Sequence, residues 1–223
     1  MKISTDTLNV LRNFSTINSN LVISEGSNIS TISESKTILA EANVSEYFPQ
    51  DIGIYDLSEF LSVVGLMSDP ELIFEESSMV IQSGNQKIRY FFSEMEILTR
   101  PSKKIAMPDV DVPFTITEEN LNQIRKASSV LRHNELLISN ETGELTASVV
   151  NSKDPTSNSY VLVLDADADF DSKFNFYISI PNLKLLPGDY SVNISSKLIS
   201  QWINNDTDVN YFVALEKNST YES

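Results

Sequence analysis

The segment that decides the fold reads Leu121, Ile124, Ala127 and Val130, apolar residues at every third position, followed by Glu135-Leu136-Leu137-Ile138-Ser139. This spacing predicts an amphipathic helix that runs into a β-strand. The same order occurs about half a chain earlier, in Leu8, Leu11, Phe14 and Ile17 followed by Asn20-Leu21-Val22-Ile23-Ser24. Two copies of one module indicate a scaffold built by repetition rather than a pocket built around a reaction.

Each copy begins at a helix-capping signal. Ser4 and Asp6 open the first copy, and Thr117 with Glu118 and Glu119 opens the second. Side chains of these types accept hydrogen bonds from the free N–H groups of a first helical turn. The helices also carry cations in their middle and late parts: Arg12 in the first copy, and Arg125, Lys126 and Arg132 in the second.

Most of the remaining chain is predicted to be strand. Short runs rich in β-branched and aromatic residues occur at 37–42, 78–81, 87–92, 160–164, 174–180 and 211–215. A further helix is predicted in each half, at 56–64 and at 181–186, the latter stopped by Pro187-Gly188. The pattern predicts an α+β fold of two similar domains, each an antiparallel sheet with two helices. We place these domains at 1–98 and 114–223, joined by a proline-containing connector at 99–113.

Composition narrows the class of protein. The chain has 223 residues, of which 41% are hydrophobic, so its length fits two domains of about 100 residues each. It contains no cysteine, which excludes disulfides and thiolate chemistry. The segment after Met1 does not resemble a signal peptide, and no stretch is apolar enough to cross a bilayer. We therefore expect a soluble, intracellular protein.

The charge is strongly negative but unevenly distributed. The formal net charge is −15, which by itself disfavours a nucleic-acid partner. Several of the sixteen basic residues nevertheless fall in or beside the predicted helices, whose outer faces would be weakly cationic on an anionic body. Ordinary solvated helix surfaces explain the same pattern.

Catalytic signatures are scarce. The single histidine, His133, lies at a predicted helix end, where it compensates the helix dipole more readily than it serves as a base. The six glycines form neither a phosphate-binding loop nor a dinucleotide fingerprint. The acidic run Asp165, Asp167, Asp169 and Asp171 departs from a calcium loop at Phe170 and Phe176, so a solvated strand edge or a magnesium site of a nuclease both stay open. We expect no enzyme, no cofactor and no metal.

Several short sequence segments, spread from the first residue to nearly the last, resemble segments of a known protein family in the same order. These strings are residues 1–7, 11–19, 40–45, 54–61, 174–176, 187–190, 210–216 and 219–220, which read MKISTDT, LRNFSTINS, AEANVS, IYDLSEFL, FNF, PGDY, NYFVALE and ST. Together they resemble the sliding clamp of T-even-type bacteriophages. The strings are collinear, and none of them is a catalytic signature.

The resemblance implies a DNA-clamp fold in which three copies form a ring, with helices lining the hole and sheets outside. Such a ring would encircle duplex DNA without regard to sequence and tether the replicative DNA polymerase for processive synthesis. The partners implied are duplex DNA, the polymerase, a clamp loader, further copies of the chain and, as a further class, phage transcription factors, with no membrane. The location implied is the cytoplasm of the infected bacterial host.

Two sets of candidate site residues follow from the resemblance. A ring that cannot fall off its duplex needs only loose attraction to phosphates, so a handful of inward cations suffices. Our candidates for this lining are Lys2, Arg12, Arg125, Lys126, Arg132 and Lys184. Partner proteins of this family dock short peptides near the interdomain connector, for which the candidates are Ile105, Met107, Pro108, Tyr211, Val213 and Leu215. Buried strand and linker packing explains these apolar residues equally well.

Two other classes of function stay open at this level. A β-rich structural protein of a virion would also be acidic, poor in glycine and free of catalytic motifs, but it would show no DNA-dependent behaviour. A carboxylate-metal nuclease would use the aspartate run and would lose cleavage when Asp167 and Asp169 are replaced.

Overall fold

The computed structural model describes residues 1–103, 105–154, 156–164 and 170–222. The chain divides into two compact units, Met1–Lys104 and Ile105–Ser223. The division falls inside the segment 99–113, where the sequence predicts a connector. No helix in the described part of the chain is both long and apolar enough to span a membrane.

Unit 1 contains two α-helices and seven strands among its described residues. The helices are α1 (Thr5–Ile17) and α2 (Leu57–Gly65). The strands are β1 (Leu21–Ile23), β2 (Gly26–Ile32), β3 (Ile38–Phe48), β4 (Ile52–Ile54), β5 (Glu71–Phe74), β6 (Ser78–Ser83) and β7 (Gln86–Phe91), followed by a 3-10 turn at Met95–Ile97. Within the unit, β1 pairs with β4, β2 pairs with β3, and β5, β6 and β7 form a sheet in that order, all antiparallel.

Helix α1 forms where its cap and its apolar stripe predict it. The Oγ of Ser4 accepts a hydrogen bond from the backbone N–H of Thr7 at 3.2 Å, as an N-cap does. Leu11 and Phe14 are fully buried, so one face of the helix packs into the core of unit 1. The helix ends at Asn18, whose backbone is extended and whose side-chain amide donates to Ile32 O at 2.9 Å.

Unit 2 contains one α-helix and nine strands among its described residues. The helix is α3 (Glu118–Leu131). The strands are β8 (Val112–Ile116), β9 (Glu135–Ser139), β10 (Thr146–Val150), β11 (Tyr160–Val163), β12 (Lys173–Ser179), β13 (Tyr190–Ser195), β14 (Ile199–Asn204), β15 (Val209–Ala214) and β16 (Thr220–Glu222). One antiparallel sheet has the order β11-β10-β9-β12-β16, and the strands β8, β13, β14 and β15 pair antiparallel in that order.

The core of unit 2 lies between α3 and the sheet that contains β9. Strand β12 alternates strictly, with Phe174, Phe176 and Ile178 buried and their neighbours partly exposed. Helix α3 contacts β10 and β11 and buries Leu121 and Ile124. The predicted α+β class with antiparallel sheets is confirmed, and so is the repeated order of helix followed by strand.

The predicted helix at 181–186 is wrong, because the structure has only a 3-10 turn at Ile180–Asn182. Leu183 and Leu185 are both buried while Lys184 between them is partly exposed, which is the alternation of an extended segment. Pro187 also disfavours helical backbone at Leu186. Unit 2 therefore has one α-helix among its described residues, not two.

Two smaller corrections concern Val130 and the connector. The predicted apolar face of α3 included Val130, yet its side chain is 79% exposed. Nine residues separate Val130 from Leu121, which is half a turn out of phase at about 100° per residue, and Ser128 takes the buried position instead. In addition, Val112 and Pro113, placed in the predicted connector 99–113, already belong to β8.

Candidate nucleic-acid interface

Apart from the exposed Val130, the outer faces of α1 and α3 are polar, and neither helix carries a net charge. The exposed residues of α1 include Asn9, Arg12 and Thr16, and those of α3 include Lys126 and Ser129. Each helix contains equal numbers of acids and cations, whereas the whole chain has a net charge of −15. In both helices the acids lie in the first turn, where the helix dipole favours them, so the predicted weakly cationic character is limited to the middle of α1 and to the middle and end of α3.

A buried carboxylate from β3 fixes the N-terminus of α1. Glu46, which is only 8% exposed, accepts hydrogen bonds from the backbone N–H of Ser4 and the hydroxyl of Thr7, each at 2.5 Å. Burial alone would raise the pKa of Glu46, but the hydrogen bonds from Thr7 and Ser4 outweigh it and hold the pKa below its ordinary value. The carboxylate thus stays charged at neutral pH and satisfies the free donors of the first turn.

Helix α3 has a comparable anchor on the surface. Asp189, which precedes β13, accepts a hydrogen bond from the backbone N–H of Glu118 at 2.8 Å. The hydroxyl of Thr117 caps the same end by accepting from Asn120 N at 3.2 Å. Sequence reasoning found the local caps Ser4 and Thr117 but missed both carboxylates, because they lie 42 and 71 residues from the helix ends that they bind.

The predicted lining cations of unit 1 both have local partners. Lys2 forms an ion pair with Asp69. Arg12 is exposed on α1, and its guanidinium donates to Asn9 Oδ1 at 3.0 Å. Unit 1 therefore presents one cation of the predicted set on a helix face, and that cation is already hydrogen-bonded.

The predicted lining cations of unit 2 differ from one another. Arg125 is half-buried and lies close to Asn122 Oδ1 at 3.4 Å and to Leu183 O at 3.5 Å, which brings it beside the segment that holds Lys184. Lys126 is exposed on the outer face of α3. Arg132 is exposed at the end of the helix, in a left-handed backbone conformation with φ of 57°. These assignments to DNA stay predictions.

The predicted partner-docking set is split by the structure. Tyr211, Val213 and Leu215 are buried in unit 2, so the side chains offer no surface to a peptide, and the packing explanation holds for them. The hydroxyl of Tyr211 accepts from Leu186 N at 3.2 Å. Burial raises the pKa of Tyr211 and raises that of its neighbour Tyr190 to about 12, so both stay neutral at physiological pH.

The other half of that set is accessible. Ile105, Met107 and Pro108 are all partly exposed, in a segment without regular secondary structure before β8. They stay candidates for docking a partner peptide.

No metal centre is formed by the residues that the structure describes. The acidic residues Asp165, Asp167 and Asp169 lie outside the described residues, and Asp171 is exposed. Among described residues, no group of three or more His, Asp or Glu side chains is placed to hold a metal ion. The ring of His133 is engaged at the end of α3, where its Nε2 lies 3.0 Å from Asn158 O.

Two family models match successive parts of the chain. Residues 4–95 match the model described as DNA polymerase processivity factor. Residues 113–217 match the model described as gp45 sliding clamp, C terminal. The matches thus follow the two units and leave out most of the segment between them.

Relatives and solved structures agree with these matches. The sliding clamp of Escherichia phage RB69 is 31% identical over 230 residues and covers 100% of both chains. The sliding clamp of Vibrio phage KVP40 is 30% identical over 222 residues, covering 97% of this chain and 99% of the other. Among solved structures, A. fulgidus PCNA bound to the C-terminal region of FEN-1 has a TM-score of 0.70 at 12% identity, with 96% of each chain covered.

The fold and the full-length relatives define a class of protein, the DNA polymerase processivity factors. The chain belongs to the sliding clamp family, as its similarity to the phage proteins over their whole length shows.

Proposed function

We propose that three copies of this chain close into a ring that encircles duplex DNA and tethers the replicative DNA polymerase. The observation that carries the proposal is the contrast between the helices and the rest of the chain. Helices α1 and α3 present polar faces without net charge, whereas the chain as a whole has a net charge of −15. A duplex would be repelled by most of the surface and tolerated along these two helices.

This charge pattern suits a ring that moves along DNA. Many tight phosphate contacts would hold the ring in place, because each contact releases counterions and so increases the affinity for DNA at that position. A neutral polar face with few cations gives weak attraction that is independent of sequence. Retention on DNA then comes from closure of the ring rather than from affinity.

Two strands at sheet edges supply surfaces for ring closure. β7 is the last strand of its sheet in unit 1, and β11 is the last strand of its sheet in unit 2. Phe91 of β7 is 66% exposed, and Val161 and Val163 of β11 are 58% and 53% exposed. Contact between unlike edges of successive copies is a heterologous interface, which closes into a ring when the rotation returns to its start.

The backbone of β11 is oriented for such pairing. Leu164 N–H donates to Leu145 O at 2.9 Å, so the alternation of an antiparallel pair directs the N–H groups of Val161 and Val163 away from β10. An open edge with apolar side chains and outward N–H groups is a template for another strand. On the other sheet, the edge of β5 is covered, because Met1 N donates to Leu72 O at 2.8 Å and Leu72 N donates to Met1 O at 2.7 Å.

The mass of the purified protein tests the ring. The chain has a mass of 25.0 kDa, so three copies have a mass of about 75 kDa. We expect sedimentation equilibrium to give the trimer, and Val161→Pro to weaken it by removing an outward N–H. Val161→Thr keeps that N–H and should keep the trimer. A wild-type protein that stays monomeric at micromolar concentration would contradict the proposal.

The remaining parts of the proposed role concern partners. The chain performs no chemistry of its own, a clamp loader opens and closes the ring, and phage transcription factors form a further class of partner. Ile105, Met107 and Pro108 belong to the surface that docks partner peptides, in the cytoplasm of the infected host.

Primer extension on a long circular template tests the tether to the polymerase. The chain should lengthen the products of each polymerase binding event, and unchanged product length would contradict the proposal.

A further inference from the structure

An open polar cleft of about 290 Å³ lies at the C-terminal end of α3. One wall consists of residues 132–135, which follow the helix, and the other consists of residues 150, 151 and 153, where β10 ends and the next loop begins. Lys153 belongs to this loop and has no local sequence signal that marks it as functional. Only the fold brings it opposite the end of α3.

Hydrogen bonds fix the geometry of the cleft. Glu135 accepts from both Ser152 N, at 2.7 Å, and Ser152 Oγ, at 2.9 Å, which joins the loop to β9. At the far end of the loop, His133 Nε2 lies 3.0 Å from Asn158 O. The loop is therefore held near both of its ends by residues that follow α3.

The carboxylates in and beside the cleft accept hydrogen bonds from the loop, whereas the basic side chains of the cleft form no hydrogen bond with it. Besides Glu135, the nearby carboxylate of Asp154 accepts from Thr156 N at 3.0 Å and Thr156 Oγ1 at 2.6 Å. Arg132 and Lys153 are exposed, and neither side chain forms a hydrogen bond or ion pair with any residue that the structure describes. Both positive groups stay available to an anion in solution.

The backbone at Arg132 strengthens this reading. Helix α3 ends with Arg132 at φ of 57°, a left-handed conformation in which glycine or asparagine is the ordinary choice. An arginine there carries a conformational cost, and its side chain gains no hydrogen bond or ion pair with the described residues. Residues whose backbone is held in such a conformation concentrate at functional sites.

We propose that this cleft binds a phosphate of the DNA backbone, with Arg132 and Lys153 on either side of it. The inference rests on the proposed function, since it extends the DNA-facing surface from Lys126 on α3 to a loop beyond the helix end. Arg132 and Lys153 supply donors of two kinds, a planar guanidinium that bonds phosphate oxygens in pairs and a mobile ammonium. An acidic peptide is the competing ligand, and the experiment below separates the two.

The absence of cysteine makes a direct test simple. A Lys153→Cys variant carries one thiol, which can be labelled with a short photocross-linker without changing any other residue. Lys217→Cys is the matched control, because Lys217 is exposed in the same unit but lies outside the cleft. Both labelled proteins are loaded onto nicked circular plasmid, their assembly mass is checked against wild type, and they are irradiated.

We expect retention on the circle for both variants and a DNA cross-link from position 153 at least tenfold above that from position 217. Retention with equal yields would overturn the phosphate site and leave the ring intact. Cross-linking to a protein partner in place of DNA would assign the cleft to a peptide and also overturn it. Loss of wild-type retention on circular DNA would instead reject the proposed function.

Salt dependence gives an independent readout. Lys153→Gln should lower the slope of log affinity against log salt by about 1 for each phosphate contact removed, measured on linear duplex. Lys217→Gln should leave the slope unchanged. Equal slopes for wild type and Lys153→Gln would contradict the proposal even where overall binding is weaker.

Discussion

Helices α1 and α3 are the repeated module of this chain, and they differ in what their surfaces can do. Both start at a hydroxyl cap and both lead into a strand, and each is held at its start by a distant carboxylate, Glu46 of β3 for α1 and Asp189, just before β13, for α3. On α1 the one cation is already bonded to Asn9, whereas Lys126 and Arg132 of the α3 region have no partner among the described residues. The repeat therefore preserves the scaffold, while the helix cations without a bonded partner among the described residues lie in unit 2.

The largest expected difference concerns the last apolar position of each copy. Ile17 of α1 is 6% exposed and Val130 of α3 is 79% exposed. Ile17→Ala should lower the free energy of unfolding by about 2 to 4 kcal/mol, because it leaves a cavity. Val130→Ala should change it by less than about 0.5 kcal/mol. Urea denaturation measures both, and comparable losses would show that the two helices bury the same positions.

The next largest difference in unfolding free energy is expected between the two carboxylates that bind the helix N-termini, Glu46 and Asp189. Glu46→Ala leaves the Ser4 N–H and the Thr7 hydroxyl without their buried acceptor and should cost about 2 kcal/mol. Asp189→Ala removes an exposed acceptor of Glu118 N–H and should cost about 0.5 kcal/mol. Urea denaturation again gives both values, and equal costs would contradict the difference in burial.

The pH dependence of stability sharpens the same comparison. The pKa of Glu46 is lowered in the folded chain, so its contribution is present above the pKa of the unfolded state and is lost as pH falls through the folded value. Glu46→Gln should therefore flatten the acid limb of the stability curve below about pH 4.5. An unchanged acid limb in this variant would show that Glu46 does not stabilise α1 through its charge.

Replacing a single cation should shorten the lifetime on DNA more when the cation lies on α3 than when it lies on α1. Lys126→Gln should shorten the lifetime of the clamp on linear duplex by up to about tenfold, because every copy in the ring loses a phosphate contact. Arg12→Gln should change it by less than about twofold, since Asn9 already holds that guanidinium. Single-molecule lifetimes measure both variants, and a larger effect at Arg12 would reverse the assignment of charge to unit 2.

The smallest expected difference lies at the helix ends. Arg132→Gly should raise the free energy of unfolding by about 1 kcal/mol, because glycine adopts positive φ without strain. Asn18→Gly should destabilise instead, since Asn18 is extended and bonds Ile32 O. Thermal unfolding checks the sign of each change. Destabilisation by Arg132→Gly would show that the arginine side chain stabilises the fold.

Local signals in the sequence were enough for much of the fold. The caps at Ser4 and Thr117 and the helical apolar spacing predict α1 and α3, and the predicted helix at 56–64 differs from α2 by one residue at each end. The segment at 181–186 misled because two leucines buried by alternation resemble part of a helical stripe when read without their partners. Only the three-dimensional structure distinguishes a helical apolar stripe from the alternating burial of an extended segment at these positions.

The candidate site was less accessible to sequence. Lys126 and Arg132 could be proposed from the sequence because they lie on or beside a recognisable helix, and their role in DNA binding stays a prediction. Glu46 and Asp189 were missed because each binds a helix start from a distant part of the chain, and Lys153 was missed because only the fold brings it beside the end of α3. Burial of Tyr211 depends likewise on strands that surround it in the fold, which no local pattern states.

Retention on circular and linear DNA tests the central claim, that a closed ring rather than affinity holds the protein on its duplex. The chain is loaded onto a nicked circular plasmid, free protein is removed, and half of the sample is cut once with a restriction enzyme. We predict that the clamp stays on the circle and is lost from the cut DNA through its ends, with little dependence on salt for the circle. Equal loss from both forms would contradict encirclement.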